Sequence, residues 1–136
     1  MSIARNAKKK LNYVTGNMTK EERTMREELY KQIDDAVNDE LKAAYEKFSA
    51  NNSRHESYAV LLEEFEELQN ETEQLKYWIS VIWSDTKDNA PTDRLMYKLI
   101  NAARTSRSLV AEAIQTSAMI LKFLKYINDK EAENED

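Results

Sequence analysis

Leu61-Leu62-Glu63-Glu64-Phe65-Glu66-Glu67-Leu68-Gln69-Asn70-Glu71-Thr72-Glu73-Gln74-Leu75-Lys76-Tyr77-Trp78-Ile79-Ser80-Val81-Ile82 is the stretch that decides the fold. Leu61, Phe65, Leu68, Thr72, Leu75, Ile79 and Ile82 alternate steps of four and three, a heptad-like seam with one polar member. Such a seam predicts a long helix packed lengthwise against at least one other helix. The Glu-rich residues between the seam positions form the wet side of the same helix.

The flanks agree. Ser53-Arg54-His55-Glu56 fits a capping box that opens this helix, and Asp85 to Pro91 reads as the loop that closes it. Upstream, Thr19-Lys20-Glu21-Glu22 is a second capping box. Leu29, Ile33, Val37, Leu41, Ala44, Tyr45 and Phe48 follow on one helical face, ending near Ser49–Asn52. Downstream, Leu95, Leu99, Ala102, Leu109, Ala113, Ile120, Leu124 and Ile127 mark a third helical region from Pro91 or Thr92 to Asp129. The polar run Arg104 to Ser108 leaves open whether it is one helix or two. One Gly (Gly16) and one Pro (Pro91) in 136 residues argue against many tight turns, and so against a sandwich or barrel. The expectation is an all-α antiparallel bundle of three to four long helices. A homo-oligomer would cover the apolar stripes that one chain leaves open. Residues 1–18 read as a flexible basic leader, 19–130 as a single helical domain and 131–136 as an acidic tail.

Composition narrows the function classes. The absence of cysteine removes disulfides and thiolate metal sites and permits a reducing, cytoplasmic setting. No run approaches 18 apolar residues, so no membrane helix is expected. The net charge of −5 argues against non-specific nucleic-acid binding. No Gly-rich phosphate loop exists, and a lone His55 without cysteines does not make a zinc site. His55 reads as a helix-end side chain, or as a contact to phosphate at a helix N-terminus. Tyr77, Trp78 and Trp83 read as core or interface, with a base-stacking platform as the sharper alternative.

Carboxylates carry the chemistry. Glu64, Glu67 and Glu71 are three and four residues apart and form one strip along the edge of the seam. A run of Glu is usually a solvated face. Glu64 and Glu67 are nevertheless placed to offer hard oxygen ligands to Mg²⁺. Glu112 is the only acid between Asp93 and Asp129 and stands in an apolar stretch, where burial costs free energy without a partner. Gln115 lies three residues on. If the two helices are neighbours, Glu112 and Gln115 face Glu64 and Glu67 across a groove, as bundle metal sites are built.

Glu63-Glu64-Phe65-Glu66-Glu67 resembles the EExxE motif of the MazG-like, all-α nucleoside-triphosphate pyrophosphohydrolases, and Glu112-Ala113-Ile114-Gln115 resembles a divergent form of their ExxD motif. The wording from His55 to Glu64 and from Glu112 to Met119 is similar to phage and prophage members. The resemblance covers roughly Ser53 to Ile127. It implies Mg²⁺-dependent cleavage of a nucleoside triphosphate to a monophosphate and pyrophosphate. Glu64, Glu67 and Glu112 would be metal ligands and Gln115 a fourth, with Glu63 as a ligand or water-positioning group. Lys76, Arg94, Lys98 and Arg104 are the cations available for phosphate, with none singled out. Gln115 replaces the family's Asp, and the spacing from Glu67 to Glu112 is longer than usual. These departures leave a second reading, a sequestering protein that binds nucleotide without cleaving it. The seam alone supports a third, a helical interaction module of phage origin.

Overall fold

The computed structural model describes residues 17–135. It contains three helices, α1 (Lys20–Lys47), α2 (Arg54–Lys87) and α3 (Thr92–Glu135), and no strand among the described residues. None of them is long and apolar enough to cross a membrane. By packing, the chain divides into two units, Met1–Ala36 and Val37–Asp136.

Nearly all of the first unit's expected leader lies outside the described residues. Its described part opens α1 with the predicted capping box. Glu22 N–H donates to Thr19 Oγ1 and Thr19 N–H donates to the Glu22 carboxylate, both at 3.1 Å. Two of the four orphan N–H groups at the helix start are thereby satisfied.

The second unit holds the site. Ser53 caps α2, with Glu56 N–H donating to its Oγ at 3.0 Å. The Glu56 carboxylate reaches back one residue further than a standard box and accepts from Asn52 N–H at 3.3 Å. The other end of α2 closes at Asn89, whose φ of 49° is left-handed. Asn tolerates this region because its short polar side chain can hydrogen-bond locally. Ala90 N–H donates to Asp85 O at 3.0 Å and Asn89 N–H to Thr86 O, the paired closure of a Schellman motif. Pro91 then stops any continuation, and α3 begins at once.

So short a loop forces α2 and α3 into an antiparallel hairpin. Three contacts fix its register. Arg94 reaches Asp85 at 2.8 Å, Thr116 Oγ1 lies 3.4 Å from Glu64 O, and Tyr126 Oη lies 3.5 Å from Asn52 O. Each step back along α2 is matched by a nearly equal step forward along α3. The third region is one unbroken helix of 44 residues. Its polar stretch does not break it, because Thr105 turns inward and is buried while Ser106 bonds back to Ala103 O.

The seam of α2 departs from expectation. Leu61, Leu68, Leu75 and Ile82 are turned inward as predicted, but Ser57, Glu64, Glu71, Trp78 and Asp85 complete the row. Phe65 and Ile79 are 44% and 57% exposed, and Thr72 is exposed too. Leu61, Leu68, Leu75 and Ile82 belong to both faces, so the helix is rotated by about half a residue step, some 50°, from the most apolar choice. Polar contacts across the hairpin account for the rotation. Asp85, 1% exposed, takes both Arg94 and Lys98 at 2.8 and 2.7 Å. Trp78 packs edge-on against Tyr97 with ring centroids 6.3 Å apart. Of the other aromatics, Tyr77 stacks edge-on with Trp78 while remaining exposed, and Trp83 lies exposed under the Lys87 ammonium.

The interior is shallow. Val37 and Ala118 are the buried hydrophobic residues among those described, whereas Asn51, Ser57, Asp85, Thr105, Thr116 and Lys122 are buried polar ones. Buried polar groups cost free energy unless satisfied. That makes the partners of each one informative.

Candidate metal centre

Glu64 and Glu67 project from α2 one turn apart, and Glu112 projects from α3 opposite them. One carboxylate oxygen from each lies within 4.8 Å of the other two. The hairpin register creates this convergence. Thr116 Oγ1 bonds to Glu112 O on its own helix at 2.8 Å and approaches Glu64 O across the interface at 3.4 Å, which draws the two acid-bearing turns together.

Burial and mutual repulsion both act on these acids. Burial first, and then the charges of Glu67, Glu112, Glu63 and Glu40, push the Glu64 carboxyl above the ordinary glutamate range. Glu112 is raised as well, by burial first, then by the charges of Glu67 and Glu71. One oxygen of each, Glu64 Oε2 and Glu112 Oε2, is buried with no hydrogen-bond partner. Orphan hard oxygens on mutually repelling carboxylates are the donor set that a small divalent cation satisfies.

The remaining expected residues are placed as follows. Gln115 is half-buried one turn beyond Glu112. Glu63 is exposed and lines a cavity beside the triad. His55 is exposed at the start of α2, and Lys76 and Arg104 are exposed on their helices. Arg94 and Lys98 are committed to Asp85, roughly 30 Å along α2 from Glu64 at 1.5 Å per residue, so they serve the hairpin turn.

Four residues join the site that sequence reasoning missed. Glu40 comes from α1, near enough to raise Glu64. Its signal was its place at the edge of the Val37–Ala44 face. Thr116 sets the register, and a hydroxyl next to Ser117 within a helix gave no warning. Lys122 and Asn51 line the same cavity as Glu63 and Glu64. Lys122 carried the signal that singled out Glu112, a lone charge in an apolar run (Met119-Ile120-Leu121-Lys122-Phe123-Leu124).

The protein defined by this fold and site is an all-helical hairpin protein with a three-carboxylate cluster between facing helices. No family model, curated protein or solved structure matches the chain.

Proposed function

We propose that this protein is a Mg²⁺-dependent nucleoside-triphosphate pyrophosphohydrolase acting inside the cell. The observation that carries the reading is the convergence of Glu64, Glu67 and Glu112 within 4.8 Å, with two buried oxygens lacking partners. Glu64, Glu67 and Glu112 would hold the metal, with the Gln115 amide oxygen as a neutral fourth ligand. Bound there, Mg²⁺ supplies charge neutralisation of the triphosphate and lowers the pKa of a water. Glu63, exposed beside the cluster, would position the attacking water and take up its proton. The overall change is attack by water, rupture of the bridge between the α and β phosphates, and departure of pyrophosphate. A second copy of the chain covers apolar side chains left in water, among them Phe65 and Ile79 on α2 and Met96, Val110 and Leu124 on α3.

The test is a panel of nucleoside and deoxynucleoside triphosphates with Mg²⁺, read by pyrophosphate release and by melting temperature. Release from at least one of them, lost in Glu67→Gln, supports the hydrolase. A specific observation favours one rival. Gln115 stands where the resembled motif has an acid, which weakens the metal site by one charge. A nucleotide-dependent melting shift without release would favour that rival, a sequestering protein.

A further inference from the structure

Lys122 is 4% exposed, and among the described residues it forms no ion pair. Its ammonium lies 5.6 Å from the ring centre of Tyr45, and this cation–π contact engages one side of the group. An ammonium carries three donors, and the rest of this one is open to the cavity that Lys122 lines. Asn51, 7% exposed, has a buried Oδ1 with no donor. Both residues line a cavity of about 600 Å³ that Glu56, Glu63 and Glu64 also line. Lys47, Phe48 and Val60 complete the lining that matters here.

This lining selects a ligand. A free anion drawn to Lys122 would face three carboxylates. A free cation drawn to the carboxylates would face two lysines. A polyphosphate that carries its own divalent cation meets both kinds of lining charge with the correct sign. Asn51 adds a further demand. Its orphan carbonyl oxygen needs a donor, and a bare polyphosphate at neutral pH has none. A sugar hydroxyl or an exocyclic base amine supplies one. The volume suits a ligand larger than a single phosphate.

We propose that the cavity lined by Lys122 and the carboxylates is a polyphosphate subsite, with Lys122 holding a phosphate oxygen and Asn51 accepting from the nucleoside portion. The proposal deepens the hydrolase reading and rests on it for the cation. Lys122 is then a substrate-binding residue that the resembled motifs do not contain.

Calorimetric titration of the full chain with inorganic tripolyphosphate and Mg²⁺ tests the anion side, and Mn²⁺ titration alone, followed by electron paramagnetic resonance, tests the cation side. Lys122→Met is expected to weaken tripolyphosphate binding at least tenfold and leave Mn²⁺ binding unchanged. Lys122→Arg should retain most of it. Lys122→Met should also melt close to wild type without ligand, because the buried stem is kept and only the cation–π contact with Tyr45 is lost. A purely structural lysine would give a lower melting temperature instead. Asn51→Ala should weaken a non-hydrolysable nucleoside triphosphate while sparing tripolyphosphate. Wild-type tripolyphosphate affinity in Lys122→Met, or no tripolyphosphate binding by a wild type that binds Mn²⁺, overturns the subsite. Lys122-dependent tripolyphosphate binding without any Mn²⁺ binding would retain the subsite and remove the metal reading.

Discussion

The Thr116 hydroxyl donates to the Glu112 carbonyl at 2.8 Å and lies 3.4 Å from the Glu64 carbonyl on the facing helix. One buried side chain thus joins the two helical turns that carry the acidic cluster. Thr116→Val keeps the shape and removes the hydroxyl. It should cost about 1 kcal/mol of stability in urea denaturation. It should also weaken Mn²⁺ binding several-fold, because Glu64 and Glu112 lose their common tie. Unchanged Mn²⁺ affinity would show that the two turns are held by packing alone.

Glu112 brings charge into a place where burial and its neighbours disfavour it. Glu112→Gln should raise the metal-free melting temperature by about 3 °C through relief of that repulsion. The same change should abolish the rise that Mg²⁺ produces in the wild type. A metal-free protein made less stable by the substitution would mean that Glu112 has a structural partner.

Asp85 is the opposite case. Hydrogen bonds from Lys98, together with the Arg94 bond and both charges, outweigh burial and hold its carboxyl below the ordinary 3.8. The stability this adds is complete above that ordinary value and is lost as pH falls through the lower folded one. Asp85→Asn should melt about 5 °C or more below wild type at neutral pH. The gap between the two proteins should close below about pH 4. A gap that persists into stronger acid would assign the effect to hydrogen-bond geometry instead of charge.

Phe65 lies outward, one position from the inward Glu64. If a second copy covers it, Phe65→Lys should shift the sedimentation of the protein from dimer to monomer while helicity is retained. A wild type that sediments as a monomer at all concentrations would remove the second copy from the account.

Much of the fold was legible because its signals are local. Capping boxes at Thr19 and Ser53 and the breaker Pro91 need only neighbouring residues to act, and the helix starts fall where they indicate. The rotation of α2 was not local. Phe65 and Ile79 make the more apolar seam, and only the partners supplied by α3 (Arg94 and Lys98 for Asp85, Tyr97 for Trp78) select the other face. The acids of the site were visible through spacing at Glu64 and Glu67 and through isolation at Glu112. Glu40 and Asn51 come from α1 and the segment after it. Neither carries a motif, so their approach to the site is a tertiary fact.

The most direct test is a crystal structure grown with Mn²⁺, whose anomalous scattering locates the ion without assumptions. The account predicts a peak bounded by Glu64, Glu67 and Glu112, about 2.0–2.3 Å from one oxygen of each. Density confined to other surface acids, with these three carboxylates bare, would contradict it.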